Sequence, residues 1–114
     1  MSEQQNVVID FETIEGPVYT GRPRGTKLRS KYNLDDVDKR DAVVVVRIPD
    51  STYSISSSFF LGLFGESVVN AGNKQAFYAK FHFMANDMFS RVFDGYVMRA
   101  LEEKHLLSSK RDFT

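Results

Sequence analysis

The segment Ala42–Ile48, with the sequence AVVVVRI, is an almost continuous run of apolar residues. A strand with one solvated face alternates between polar and apolar positions, whereas a continuous run is typical of a central strand that is covered on both faces. Pro49 has no amide hydrogen to donate, so we expect it to end this strand. The pattern therefore predicts a central β-strand with both of its faces buried.

Other segments also have the pattern of strands. Val7–Phe11 is rich in β-branched residues, and a short extended piece is expected at Val18–Tyr19 after the break at Gly16–Pro17. In Gln75–Met84, every second residue from Phe77 onward is a phenylalanine or an alanine, which is the spacing of one face of a strand. Strands are therefore predicted both before and after the central one.

A helix is predicted directly after the central strand, because apolar residues there recur every three or four positions. These residues are Phe59, Phe60, Leu63, Phe64, Val68 and Ala71. One serine of Ser56–Ser58 can cap the start of this helix, and Gly72–Asn73 is expected to end it. Gly62 and Gly65 lower its helix propensity, so we expect the sheet to approach the helix closely at these two glycines.

The longest helical pattern covers Asn86–His105 and is followed by a polar tail at Ser108–Thr114. A short helix is predicted at Thr26–Asn33, Asp35–Asp41 is expected to be a solvated loop or helix end, and Asp50–Ile55 is expected to be a loop. This order of strands and helices predicts an α/β sandwich, in which two to three helices pack on a small mixed β-sheet.

The composition limits the possible classes of function. A chain of 114 residues suits a single domain, which we place at residues 1–107. Fifteen basic and fifteen acidic residues cancel, so no global field draws the chain to nucleic acid or to a membrane surface. The absence of cysteine excludes disulfides and thiolate zinc sites. We expect a cytoplasmic protein without a signal peptide, a membrane span or a cofactor.

The loop and helix that follow the central strand resemble a known family. The strand VVVVRI, a polar loop and the segment ISSSFFLGLFG are similar to the corresponding part of the STAS-like family, a domain of unknown function also called DUF4325. The residues that carry the resemblance are Ile55, Ser57, Ser58, Phe59, Leu63, Phe64 and Gly65. The similarity is specific over Val43–Gly72 and weakest over residues 12–41. It implies a STAS-like sandwich.

The resemblance also implies a function. The family is related to STAS domains such as the anti-sigma factor antagonists, in which a partner kinase phosphorylates a serine at the start of this helix. Ser57 falls on the acceptor position and Ser58 on the serine that follows it. Ser56 stands where those proteins have an aspartate, and Phe59 stands where they have a glycine. The implied function is a non-enzymatic regulatory module of bacterial or phage-like signalling, with a histidine-kinase-like ATPase as its partner.

The serine cluster Ser56–Ser58 has two compatible interpretations. A phosphate group at a helix N-terminus meets unpaired backbone amides and the positive end of the helix dipole, and it adds nearly two negative charges. In the alternative interpretation these serines only cap the helix, because serine is among the residues most often found at that position.

A basic run suggests a second class of function. Its basic residues are Arg22, Arg24, Lys27, Arg29 and Lys31, with no acidic residue among them. A flexible arm of this composition could bind phosphate or nucleic acid, which would make the protein a nucleic-acid-binding adaptor. We favour a solvated loop that faces the acidic segment Asp35–Asp41.

The sequence VVIDFET at Val7–Thr13 suggests a third class. It resembles the first metal-binding motif of DEDD-type 3′–5′ exonucleases, in which Asp10 and Glu12 would hold two divalent ions from the same side of an extended strand. The chain is short for that fold, and Asp87 and Asp94 lack the expected histidine and asparagine context. A strand end with solvated acids is the preferred interpretation, so no catalytic or metal-binding residue is predicted.

Overall fold

The computed structural model describes residues 5–112 of the chain and the side chains of residues 6–103. It confirms the α/β class. The strands are β1 (Gln5–Asp10), β2 (Val18–Tyr19), β3 (Ala42–Arg47), β4 (Ser54–Ile55) and β5 (Phe81–Met84). The helices are α1 (Arg22–Lys31), α2 (Leu34–Val37), α3 (Ser57–Phe60), α4 (Glu66–Ala71), α5 (Lys74–Lys80) and α6 (Asp87–Asp112). A 3₁₀ turn at Phe11–Thr13 follows β1. A π-helical turn at Leu61–Gly65 joins α3 to α4, and the continuous unit 57–71 is referred to below as the central helix.

The strands pair differently from the expected mixed sheet. The main sheet has the order β1, β3, β5, and both of its pairings are parallel. β2 and β4 form a separate pair, which is also parallel. Among residues 5–112, every strand pairing is therefore parallel. In the main sheet the reason is that helices return the chain to the same end of the sheet before β3 and again before β5.

The main sheet has one covered face and one open face. Ile9, Val44 and Val46 are fully buried on the covered face. On the other face Val8 is 58% exposed and Met84 is 60% exposed. The prediction that both faces of β3 are covered is therefore confirmed for one face only, because Val43 and Val45 on the other face are partly buried and Arg47 is exposed. Because the strands follow one another in chain order, crossovers of the usual right-handed sense place their helices on the same face.

The covered face and the helices enclose a core that is rich in phenylalanine. The fully buried phenylalanines are Phe11, Phe59, Phe60, Phe64, Phe77, Phe81 and Phe93. The ring centroid of Phe60 lies 5.1 Å from the centroids of both Phe64 and Phe93. Aromatic rings at this separation gain free energy beyond that of burial alone. The central helix and α6 therefore share one aromatic core, as the apolar spacing of both segments predicts.

The local signals at the two ends of the central helix are confirmed. Ser56 is the N-cap, and its Oγ accepts a hydrogen bond from the amide of Phe59 at 3.1 Å. Gly72 has a φ of 92°, and its amide donates to the carbonyl oxygen of Val68 at 3.0 Å. A hydroxyl at the start and a left-handed glycine at the end are favoured because they satisfy backbone groups that the helix itself leaves unpaired.

A close approach does occur at Gly62, but its neighbour is helix α1 and not the sheet. A Cβ atom on Gly62 would overlap the carbonyl oxygen of Arg22. In return, a Cβ atom on Gly25 of α1 would overlap the carbonyl oxygen of Phe59. At Gly65 a Cβ atom would make only ordinary van der Waals contacts. Two facing glycines therefore allow the backbones of α1 and the central helix to touch.

The predicted strand at Gln75–Met84 is wrong over most of its length, because its first part is helix α5 and only its end is strand β5. Asn73 caps α5, and its Oδ1 accepts from the amide of Ala76 at 2.8 Å. Phe77 and Phe81 are four residues apart, which suits a helix as well as a strand, and their rings stack at 4.8 Å. The cap, and not the apolar period, distinguishes the two structures here.

Several element boundaries also differ from the predictions. Helix α1 begins at Arg22 instead of Thr26. The segment Asp35–Asp41, predicted as a solvated loop or helix end, contains the end of helix α2. Strand β4 lies within the expected loop Asp50–Ile55. Helix α6 ends at residue 112, so it includes most of the predicted polar tail, and residues 113 and 114 lie outside the described part.

Among the described residues, no helix combines the length and the apolar composition that crossing a bilayer requires.

Candidate regulatory site

The serine cluster lies at the start of the central helix, and its first member has a structural role. Besides capping the helix, Ser56 donates its own amide to the carbonyl oxygen of Tyr19 in β2 at 2.9 Å. Any modification of its hydroxyl would release the amide of Phe59 from the cap. Ser56 is therefore the weakest of the three acceptor candidates.

Ser57 and Ser58 occupy the first helical turn, and neither hydroxyl caps the helix. Ser57 is half-buried, and its Oγ accepts a hydrogen bond from Nη1 of Arg99 in α6 at 3.4 Å. Ser58 is exposed. Backbone amides in the first turn of a helix have no acceptor within the helix, and no acidic side chain occupies this turn. The surroundings of these two hydroxyls are therefore favourable to negative charge.

Helix α6 supplies the positive charge at this site. The side chain of Arg99 is more than half exposed, and its Nε lies 3.4 Å from Oε1 of Glu103, one turn later. One turn earlier, Tyr96 donates its hydroxyl to the carbonyl oxygen of Ile55 at 2.9 Å. Burial raises the pKa of the Tyr96 hydroxyl, which keeps it protonated as a donor. Two residues of α6 therefore contact the chain immediately around the serine cluster.

Aromatic packing holds this helical turn in place. Phe59 packs against both Phe11 and Tyr19, with ring centroids 6.0 and 5.6 Å away. Phe60 is buried in the core on the other side of the turn. The serines are thus presented on a fixed backbone. This arrangement can offer hydroxyl groups to a partner protein, and Arg99 can bind an anion formed there.

The basic run is not a flexible arm, because it forms helix α1. Arg22 and Lys27 are exposed on that helix. Arg24 donates to the carbonyl oxygen of Glu15, and its guanidinium lies 5.2 Å from the ring centroid of Tyr19. A guanidinium over an aromatic ring is attracted by the negative face of the ring. Arg24 is therefore engaged with the protein itself.

Arg29 differs most from its predicted role, because only 5% of this residue is exposed. Its guanidinium donates to Oδ2 of Asp38 at 2.8 Å, to Oγ of Ser67 at 2.8 Å and to the carbonyl oxygen of Leu63 at 3.0 Å. Ser67 in turn donates to Oδ1 of Asp38 at 2.8 Å. Burial lowers the pKa of Arg29, but the carboxylates of Asp38 and Asp35 outweigh burial and leave that pKa raised. Arg29 is therefore a fully charged structural residue.

The nucleic-acid alternative thus keeps only part of its predicted contacts. Of its four residues, Arg22 and Lys27 are exposed, whereas Arg24 and Arg29 bind other parts of the chain. The expected approach of the basic run to the acidic segment Asp35–Asp41 does occur at Arg29, which contacts Asp35 and Asp38. Its contacts with the central helix were not predicted, because those partners lie 34 and 38 residues away. The available signal was Ser67, a polar residue four positions after Leu63 on the apolar side of the central helix.

Asp10 and Glu12 lie at the end of β1 with a guanidinium between them. The strand ends at Asp10, and Glu12 belongs to the following 3₁₀ turn, so the prediction that both project from one strand is wrong. Nη1 of Arg47 lies 3.1 Å from Oδ1 of Asp10 and 2.6 Å from Oε2 of Glu12. Across the part of the chain that the structure describes, no three His, Cys, Asp or Glu side chains are grouped to hold a metal ion. The geometry favours an ion-paired strand end.

Comparison with known proteins adds no relative. A scan against protein-family models finds no match, and the comparisons with curated proteins and with solved structures find none either. The relationship to the STAS-like family therefore stays a prediction that rests on the residues of the serine cluster and the central helix.

Proposed function

We propose that this protein is a non-enzymatic regulatory module, which binds other proteins through the start of the central helix and exchanges partners when Ser57 or Ser58 is phosphorylated. The contact between Arg99 and the Ser57 hydroxyl at 3.4 Å carries the proposal. A phosphate group is stabilised where a helix N-terminus and a guanidinium meet. The STAS-like resemblance supports the same two serines.

Phosphorylation would add negative charge to this surface without removing the helix cap. The new phosphate oxygens could accept hydrogen bonds from the first-turn amides and from Arg99. Because Arg99 now lies beside Glu103, the phosphate would compete with that carboxylate for the guanidinium. The surface would gain an anion that Arg99 only partly neutralises, and a partner that recognises this charge would be exchanged.

The two acceptor candidates differ in access. Ser58 is exposed, whereas Ser57 is half-buried, lies beside Arg99 and is the position that the resemblance implies. Ser57 is therefore the first candidate and Ser58 the second. Ser56 is the third, because its hydroxyl caps the helix. The proposed kinase is a histidine-kinase-like ATPase of the cytoplasm, a partner suggested by the resemblance alone.

The test begins with the tagged chain purified from its host, followed by mass spectrometry of the chain and of the proteins that accompany it. A kinase-like ATPase and a phosphate on Ser57 or Ser58 are expected. With the purified partner, Ser57→Asp should change the affinity at least about tenfold, while circular dichroism stays unchanged. Ser30→Asp places the same charge at an exposed position of α1 and should bind as the unmodified chain does.

Other outcomes would contradict the proposal. If Ser57→Ala, Ser57→Asp and Ser58→Asp all left every partner contact unchanged, the switch would be abandoned. Recovery of nucleic acid, with binding that falls steeply with salt and is weakened by Arg22→Ala and Lys27→Ala, would favour the adaptor. Divalent-ion-dependent cleavage that is lost on Asp10→Ala would favour the nuclease.

A further inference from the structure

Strand β5 forms one edge of the main sheet, and its outer side carries backbone groups that face away from the neighbouring strand. The carbonyl oxygen of Met84 accepts from the amide of Ile48 at 2.9 Å, on the β3 side. Because successive residues of a strand turn their backbone groups to opposite sides, the N–H and C=O groups of Phe83 face outward. The C=O group of Phe81 does so too, while its N–H donates to Phe77 in α5. Within residues 5–112, no strand pairs with this side.

A cleft of about 400 Å³ lies beside this edge, where the end of α5 and the first turns of α6 approach β5. Its aromatic walls include Tyr78, Phe83 and Phe93, and its polar lining consists of His82, Ser90 and Asp94. Three consecutive residues of β5, 81–83, line the cleft, so it follows the backbone of the strand. The volume is within the range of pockets that enclose a bound group.

The cleft combines aromatic walls with a few polar groups, and its one carboxylate is already paired. Oδ2 of Asp94 lies 2.6 Å from Nζ of Lys74, and Oδ1 accepts from the hydroxyl of Tyr78 at 3.3 Å. Burial raises the pKa of Tyr78 strongly, and Asp94 raises it further, so the hydroxyl remains a donor. Because both oxygens of Asp94 have partners, the cleft suits an apolar group better than an ionic one.

We propose that an extended segment of a partner protein binds along β5 as an additional strand and places a large apolar side chain in the cleft. The outward N–H and C=O groups of Phe83 are best satisfied together by another extended backbone. Along an added strand, every second side chain faces the cleft side of the sheet. Met84 and Met88, which are at least half exposed, can adapt to the neighbouring residues of the segment. This surface is separate from the serine cluster and does not depend on its phosphorylation.

The experiment uses the full chain and peptides selected on it from a random library displayed on phage. The best peptide is synthesised and titrated into ¹⁵N-labelled protein. We expect selected peptides to share a large apolar residue, and bound peptide to shift the resonances of β5 and of the start of α6. Hydrogen exchange at the Phe83 amide should slow at least about tenfold, because that amide gains a hydrogen-bond acceptor.

Two controls separate strand addition from non-specific apolar binding. Ser90→Arg places a long side chain at an exposed position of the cleft and should abolish binding, whereas Ser30→Arg makes the same change on α1 and should not. N-methylation of the peptide on the edge that pairs with β5 removes backbone donors. It should weaken binding at least about tenfold, since each lost donor leaves an acceptor on β5 without its partner.

Three results would overturn the inference. The first is a selection that enriches no peptide. The second is a peptide whose affinity is unaffected by Ser90→Arg or by N-methylation. The third is self-association of the chain that Ser90→Arg abolishes, which would identify a second copy of the protein as the occupant of this edge.

Discussion

Arg29 forms ion pairs with three carboxylates and Arg47 with two, yet the cluster around Arg29 and Asp38 is buried, whereas the cluster around Arg47 faces solvent. The Arg29 and Asp38 side chains are 6% and 4% exposed, whereas those of Arg47 and Glu12 are 45% and 66% exposed. The contacts have similar lengths, 2.8 Å between Arg29 and Asp38 and 2.6 Å between Arg47 and Glu12. The length of an ion pair therefore does not indicate its contribution to stability, which depends on burial and on the other hydrogen bonds of both partners.

The two clusters also join different parts of the fold. The buried cluster links α1, the residue after α2 and the central helix through Arg29, Asp38 and Ser67. Among the described residues, no buried side-chain nitrogen or oxygen lacks a hydrogen-bond partner, so the desolvation of these charges is offset by their contacts. The exposed cluster links only the adjacent ends of β1 and β3 through Asp10 and Arg47. Water can solvate those groups if the contact is broken.

The largest effect is expected for Arg29→Met, which leaves the carboxylate of Asp38 buried without its cation. The free energy of unfolding should fall by about 3–5 kcal/mol, as measured by urea denaturation with circular dichroism. The double variant Arg29→Met with Asp38→Leu should recover part of this loss, because no unpaired charge then remains buried. An unchanged midpoint for the single variant would show that the buried pair is not formed.

A smaller loss is expected for Gly62→Ala, which disturbs the backbone contact that brings Arg29 within reach of Ser67. The added methyl group would overlap the carbonyl oxygen of Arg22, so the helices must separate, at a cost of about 1–3 kcal/mol. Gly95→Ala in α6 is the matched control, since a Cβ atom there has no neighbour within 4 Å. It should stabilise the protein by about 0.5–1 kcal/mol. Equal unfolding midpoints for the two variants would contradict the close contact between α1 and the central helix at Gly62.

Ser67→Ala should cost less, because it removes the hydroxyl between Arg29 and Asp38 but leaves the ion pair in place. We expect the free energy of unfolding to fall by about 1–2 kcal/mol in the same denaturation experiment. In the double variant with Arg29→Met, the two losses should not add, because both residues belong to one network. Strict additivity would show that Ser67 acts independently of the buried pair.

The smallest effect is expected for Arg47→Met. Its ion pairs with Asp10 and Glu12 are exposed, so the unfolding midpoint should stay close to that of the unmodified chain, and high salt should reduce any difference further. Unfolding curves of the variant and of the unmodified chain, recorded in low and high salt, measure this difference in midpoint. A loss as large as that of Arg29→Met would mean that the comparison between the two clusters is wrong.

The candidate site was predictable where its signals are local. One serine of Ser56–Ser58 caps the central helix as predicted, and it is Ser56. Such a cap is predictable because it involves residues only three positions apart in the chain. Arg99, which contacts Ser57, was not predicted, because the two residues are 42 positions apart and share no local pattern. The outer edge of β5 was missed for a different reason. Phe77 and Phe81 suit a helix and a strand equally, so the apolar period did not show where β5 begins.

The sequence by itself determined the α/β class, the place of β3, the two ends of the central helix and the long helix α6. Each of these depends on neighbouring residues, through apolar period, capping or backbone conformation. Only the tertiary structure decided that all pairings of the described strands are parallel, that one face of the main sheet is open and that Arg29 is buried while Arg47 is exposed. Those features arise from contacts between residues far apart in the chain. Burial, which decides what an arginine contributes, exists only once the helices have packed on the sheet.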